Sequence, residues 1–316
     1  MLHVPDALFR FHANNARFLQ VQSPELHIYY TVETIELACR NGLGALKPMI
    51  CFLCIVKEKN GQLYTIHRTH VPLLHAITDK KSQATYRAIV SELEGVLARM
   101  PGGYNRELRI ILDFERAAIK AAKITVPMAS VEGWAFHLAR AWNRKRDQLG
   151  LRKFIRNSER CERIKRWWET LKGTIVLPPD LYRSVPALTR VPETWLEGPF
   201  KGIWNKWNKK TLRTSNIAET FHSNLLSEVR KKRLPMEKLL KVLKRMNAQS
   251  KAKLLHHGKN PDAPEDLSKK DLKRRRRVNA EMRHFEMRRA RGLLWARVIT
   301  TYCRRMSRFV TEKSNL

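Results

Sequence analysis

Asp113 and Glu115 close a short apolar run, and Glu219 and His222 stand one helical turn apart near the head of a later segment. Carboxylates and imidazoles in such places can hold hard divalent cations or move protons. Residues 108–112 are rich in Ile and Leu and bounded by polar residues, which reads as a buried strand. Asp113 ends it, and ERAAIKAAK, beginning at Glu115, is a good helix former. An acid at the carboxyl end of a central strand faces the crevice where α/β sheets place their chemistry. The plainer reading is that Asp-Phe-Glu only caps the helix and favours its first turn. A second short strand at 130–133 leads into a helix carrying His137. Asn216 and Glu219 have capping-box spacing, so Glu219 reads as a capping partner contributing about 1 kcal/mol or less. It reads equally as a metal-ligating acid, with His222 on the same helical face. Spacing alone does not choose between them.

These side chains need a framework to hold them. Residues 49–56 and 62–67 form two apolar runs joined through Asn60-Gly61, a strong hairpin signal. Residues 71–78 suggest a third strand. Tyr86, Ile89, Val90, Leu93, Val96 and Leu97 recur at three and four spacing, which predicts an amphipathic helix over 83–100. The strand at 108–112, the helix from Glu115 to before Pro127, the strand at 130–133 and the helix from Trp134 follow. The order βββαβαβα indicates an α/β fold with a mixed sheet. From 149 to 212 strand signals fade. Residues 164–171 read as a helix with Trp167 and Trp168, and 177–180 start another. Trp195, Trp204 and Trp207 read as packing a helical region in preference to stacking on bases. A helix over 213–230, another over 234–247, a linker at 256–267 and an arginine-rich helix from 269 to about 308 complete the chain. Residues 1–45 show no clear periodicity beyond a helical turn or two at 31–39.

Charge bounds the partner. The 316 residues hold 62 Lys+Arg against 29 Asp+Glu, a net charge of +33 and a pI near 10.5. Such an excess repels itself unless a polyanion screens it, and nucleic acid is the leading candidate. An acidic membrane surface is the alternative. The longest apolar run, 48–56, is too short to span a membrane, and the N-terminus lacks a signal-peptide pattern. Five scattered Cys suit a reducing compartment. Cys51 and Cys54 make a Cys-x-x-Cys inside an apolar run, which reads as buried strand, not zinc. Lys273, Arg274, Arg275, Arg276 and Arg277 form a basic run that reads either as a nuclear address or nucleic-acid arm, or as a solvated helix face.

QLYTIH at 62–67, ATYRAIVSELEG at 84–95, ILDFERAAIKA at 111–121, GWAFHLARAWNRK at 133–145, LPPD at 177–180 and RTSNIAETFHSNL at 213–225 together resemble Mutator-like (MULE-type) transposase domains. The similarity runs over about residues 48–245. The resemblance implies a ribonuclease-H-like mixed sheet flanked by helices, with a helical insertion and, here, a basic helical C-terminal extension. The expected organisation is an unassigned segment 1–45, a core at 46–150, the insertion at 151–212, core-completing helices at 213–248 and the extension at 249–316. The family implies an Asp-Asp-Glu set holding two Mg²⁺ or Mn²⁺ ions about 4 Å apart for DNA cleavage and strand transfer. Asp113 matches the second acid and Glu219 the third, both as catalytic residues and metal ligands. His137 keeps the histidine of the Cys- or Asp-x-x-His pattern, while Trp134 replaces its first residue. His222 joins the catalytic candidates, and Arg213 joins the basic run as a nucleic-acid contact. The first acid belongs near Ile50, where the chain reads Pro-Met-Ile-Cys-Phe-Leu. Flanking zinc modules of the family are also missing. The expectation is a nuclear, DNA-binding, transposase-derived protein with impaired cleavage, DNA as partner and a homo-oligomer left open. A non-catalytic basic nucleic-acid-binding protein is the alternative.

Overall fold

The run at 108–112 yields a strand with every apolar side chain buried, next to one edge of the sheet. The computed structural model describes residues 9–11, 15–43, 45–52, 54–55, 62–68, 71–101, 108–156, 159–190, 193–209, 225, 233–260 and 269–310. In chain order the elements are β1 (Leu19–Gln22), β2 (Leu26–Tyr29), α1 (Val32–Arg40), β3 (Ala45–Phe52), β4 (Cys54–Ile55), β5 (Gln62–Arg68), β6 (Val71–Thr78), α2 (Gln83–Arg99), β7 (Arg109–Leu112), α3 (Arg116–Thr125) and β8 (Ser130–Gly133). They continue with α4 (Ala135–Gln148), α5 (Lys153–Arg156), α6 (Glu162–Gly173), α7 (Glu193–Leu196), β9 (Arg233–Leu234), α8 (Met236–Lys259), α9 (Lys269–Ala290) and α10 (Ala296–Val310). The fold is mixed α/β.

The chain divides into two compact units, Met1–Val131 with Asn216–Ala263, and Glu132–Ser215 with Pro264–Leu316. In the first, the sheet runs β1-β2-β6-β5-β3-β7, with β8 at its edge. β3, β5 and β6 form an antiparallel meander, and β7 joins β3 in parallel. The hairpin expected across 49–67 is present as the β3–β5 pair, with Lys47 opposite His67 and Phe52 opposite Gln62. Its strand starts at Ala45, four residues earlier than the apolar pattern begins. The Asn60-Gly61 turn lies outside the described residues. The Cys-x-x-Cys falls on two strands, Cys51 on β3 and Cys54 on β4.

Residues 1–45 hold more order than their sequence suggests. β2 adds antiparallel to β6 and β1 to β2. All four residues of β2 are buried, His27 and Tyr29 among them. α2 buries Tyr86, Ile89, Val90, Leu93, Val96 and Leu97 as its spacing predicts, each aliphatic side chain contributing about 1.5–3 kcal/mol. Val90, Leu93 and Leu97 meet Leu46, Ile66 and Ile110 from three neighbouring strands around one small gap. α8 packs against α1, where Asn41 donates to the carbonyls of Leu37 at 2.7 Å and Leu254 at 3.1 Å. This helix runs unbroken to Lys259 where a linker was expected from 256, and the rest of that expected linker, 261–267, lies outside the described residues.

The second unit is helical among its described residues after β8, and its core is aromatic. Trp204 and Trp207 are buried, Tyr182 stacks on Trp204 at 5.0 Å, and Phe285 stacks on Tyr302 at 4.0 Å. The tryptophans of 195–207 thus pack the unit, as expected from the sequence. Residues 179–184 form a 3₁₀ turn where an α-helix start was expected. The single arginine-rich helix expected from 269 to 308 is two helices, broken at Gly292, whose φ of 69° suits the left-handed turn.

Candidate functional site

Asp113 follows β7 directly, at the carboxyl end shared by the parallel pair β3 and β7. Ile110, Ile111 and Leu112 are all buried, so alternate side chains on both faces are covered, as a central strand requires. Asp113 itself is half-buried. That burial pushes its carboxyl up to about 6, against a partial pull downward from the Lys81 ammonium. Lys81 is placed by the start of α2, where the Ser82 hydroxyl accepts from the Thr85 backbone N–H at 3.1 Å.

Glu115 occupies the cap position of α3 but makes no side-chain cap. Its Oε1 instead accepts from the Tyr86 hydroxyl at 2.9 Å. Tyr86 is buried, and its hydroxyl is held protonated first by burial and then by the Glu115 and Asp113 carboxylates. The Asp-Phe-Glu corner is therefore tied to α2, a link that no local spacing foretells. The apolar face of α2 marks Tyr86 as inward-facing, but not where its hydroxyl goes.

Ala45 is level with Arg109, and Leu46 with Ile110. Carried onward, this register brings position 49 level with Asp113, and the sequence there reads Pro48-Met49-Ile50-Cys51 without an acid. Glu219, His222 and Arg213 lie outside the described residues. Leu225, three residues past His222, is helical and buried. Among the described residues no group of three or more His, Cys, Asp or Glu side chains converges as a metal site would require. Of the ligands expected for a Mg²⁺ or Mn²⁺ pair, Asp113 is the one among the described residues, with the Lys81 ammonium favouring its charged form.

His137 belongs to the second unit, in the first turn of α4. Its ring meets Trp134 edge-on at 6.1 Å. Close by in sequence, Glu132 is buried with two ammonium partners, Lys206 Nζ at 2.8 Å and Lys209 Nζ at 3.0 Å. Lys206 is as deeply buried as Glu132, so each satisfies a charge that would otherwise be costly to bury. Sequence reasoning missed this pair, since nothing local links residue 132 to 206.

The basic run lies on α9. Lys273, Arg276 and Arg277 are exposed, while Arg274 and Arg275 are half-buried. Arg274 donates to the Phe309 carbonyl and so serves the α9–α10 contact. Farther along, Arg289 pairs with Asp180 at 3.0 Å, and Arg305 with Glu281 at 3.7 Å. Among the described residues no helix is long and apolar enough to cross a membrane. No family model matches the chain, and no curated protein matches it.

Proposed function

We propose that this chain is a nuclear, DNA-binding protein of Mutator-like transposase descent, with a ribonuclease-H-like core whose metal-dependent cutting and joining of DNA is impaired. The observation that carries the reading is the parallel pair β3–β7, with a half-buried acid just after β7 and no acid anywhere in β3. A meander of three antiparallel strands, extended in parallel from its first strand, is the framework that a ribonuclease-H-like site requires. The net charge of +33 supports the affinity for DNA. A basic nucleic-acid-binding protein without enzymatic ancestry accounts for the charge but leaves Asp113 at the sheet edge without a reason.

The test is nicking of supercoiled plasmid with Mg²⁺ or Mn²⁺, using the full chain beside Asp113→Asn and Glu219→Gln. The expected outcome is DNA binding by all three, with cleavage at background. Strong metal-dependent nicking abolished by either substitution would overturn the impairment and imply a substitute for the first acid.

A further inference from the structure

The solvent face of α9 carries cations near both of its ends, with Ala280 and His284 between them. Lys273, Arg276, Arg277 and Arg288 lie within about 60° of one line along the helix and span about 23 Å, and Arg291 follows in the turn after it. All five are exposed. Among the described residues none of them has an acid partner. Two of the helix's acids are engaged elsewhere, Glu281 by Arg305 and Glu286 by Arg289. The opposite face, Val278, Met282 and Phe285, is buried.

This face ends in something a solvated helix does not need. Met287, Leu293 and Trp295 are exposed by 53%, 42% and 57%, three large apolar side chains within nine residues. Exposed apolar residues scattered singly call for no explanation, but this cluster is set among arginines, with no acid from 287 to 311. The corner is also fixed. Gly292 turns the chain with a φ of 69°, and its N–H bonds to the Arg289 carbonyl at 3.0 Å. The Trp295 carbonyl accepts from Val298 and Ile299 N–H at 2.9 and 3.2 Å, so the indole projects from an anchored backbone.

We infer that α9 and the corner after it seat a single-stranded nucleic acid, with phosphates along the cations and an unpaired base on the Trp295 indole. The inference deepens the proposed affinity for DNA and rests on it. A duplex would use the cations but has no free base face to offer an indole, whereas an unpaired base does. An acidic lipid surface fits less well. The apolar side of α9 is committed within the unit, where Phe285 meets Trp207 at 5.8 Å, and a few side chains at one end remain to insert.

The experiment measures anisotropy of labelled oligothymidine, oligouridine and a blunt duplex of equal length with the full chain, beside Trp295→Ala, Trp295→Phe and the double variant Arg277→Gln, Arg288→Gln. Phosphatidylserine vesicles serve as the lipid arm. Single strands should bind more tightly than duplex at equal salt. Trp295→Ala should weaken the single strand on the order of ten-fold and leave the duplex unchanged, with Trp295→Phe retaining most of the affinity. The double arginine variant should weaken all oligonucleotides and flatten their salt dependence. Either sugar supports the inference, and the two arms identify which strand is preferred. Duplex binding without single-strand preference and without a Trp295 effect overturns this inference alone. So does equal loss on both probes, which marks Trp295 as structural, or binding to vesicles in place of oligonucleotides. Failure to bind any oligonucleotide overturns the nucleic-acid reading as well.

Discussion

Asp113 destabilises the fold in its charged form. Its carboxyl titrates at about 6 in the folded chain against 3.8 for an ordinary aspartate. The folded state therefore holds the proton more tightly than the unfolded chain between those values, and stability falls as pH rises through that window. Below about pH 3 both states are protonated and the penalty vanishes; above about pH 7 it is complete. Asp113→Asn should raise stability at pH 7 by about 3 kcal/mol and leave it nearly unchanged at pH 3. Urea melts at the two pH values measure this. A variant less stable at pH 7 would mean that a cation holds Asp113 more firmly than burial disfavours it. At this scale the sequence was informative where chemistry follows from chain position. Asp113 could be read because it ends an apolar run. The buried Glu132–Lys206 pair could not, because its partners are distant in the chain and each looks like a surface charge. Glu219 and His222 remain a reading of the sequence.

The most sensitive point between elements is the crossing of α6 and α10. A Cβ built on Gly173 would lie 1.8 Å from the Cys303 carbonyl oxygen and 2.4 Å from its carbon. That neighbour is backbone in the middle of a helix, so relief requires the helices to part. Gly173→Ala gains about 1 kcal/mol or less of helix propensity and should lose several times that in packing around Ile175, Cys303 and Met306. Gly258→Ala on α8 is the control. Its Cβ would meet the Asn41 side-chain oxygen at 3.2 Å, and a side chain can give. Thermal melts should show a large drop for the first and a small change for the second; comparable melts for both would mean that the crossing yields easily. No spacing rule finds this contact, since it joins residues far apart in sequence. The same limit hid β2, where His27 and Tyr29 look polar. Inside the sheet His27 Nδ1 lies 3.1 Å from the Tyr29 hydroxyl, and burial lowers neighbouring His75 to about 3, keeping it neutral. Elements with strong periodicity, such as α2 and the β3–β5 hairpin, were legible for the opposite reason: their own residues decide them.

For the molecule as a whole, charge sets two responses to salt that run in opposite directions. Pairing each of the 29 acids would still leave 33 cations unmatched among 62. Many ion pairs that do form are exposed, such as Lys201–Glu197 and Lys241–Glu237, and such pairs add little. Added salt therefore screens more repulsion than attraction, and the folded chain should become more stable, with a melting temperature rising about 2–4 °C for each kcal/mol gained. Affinity for a polynucleotide should move the other way, because bound phosphates release counterions that salt makes costly to release. With the five cations of α9 and the turn after it engaged, the logarithm of the binding constant should fall against the logarithm of salt with a slope of about −3 to −5. A melt series and a binding series in the same buffers test both limbs together. Stability falling with salt would mean that the ion pairs outweigh the repulsion. A slope near zero would mean that the excess charge serves something other than a phosphate backbone.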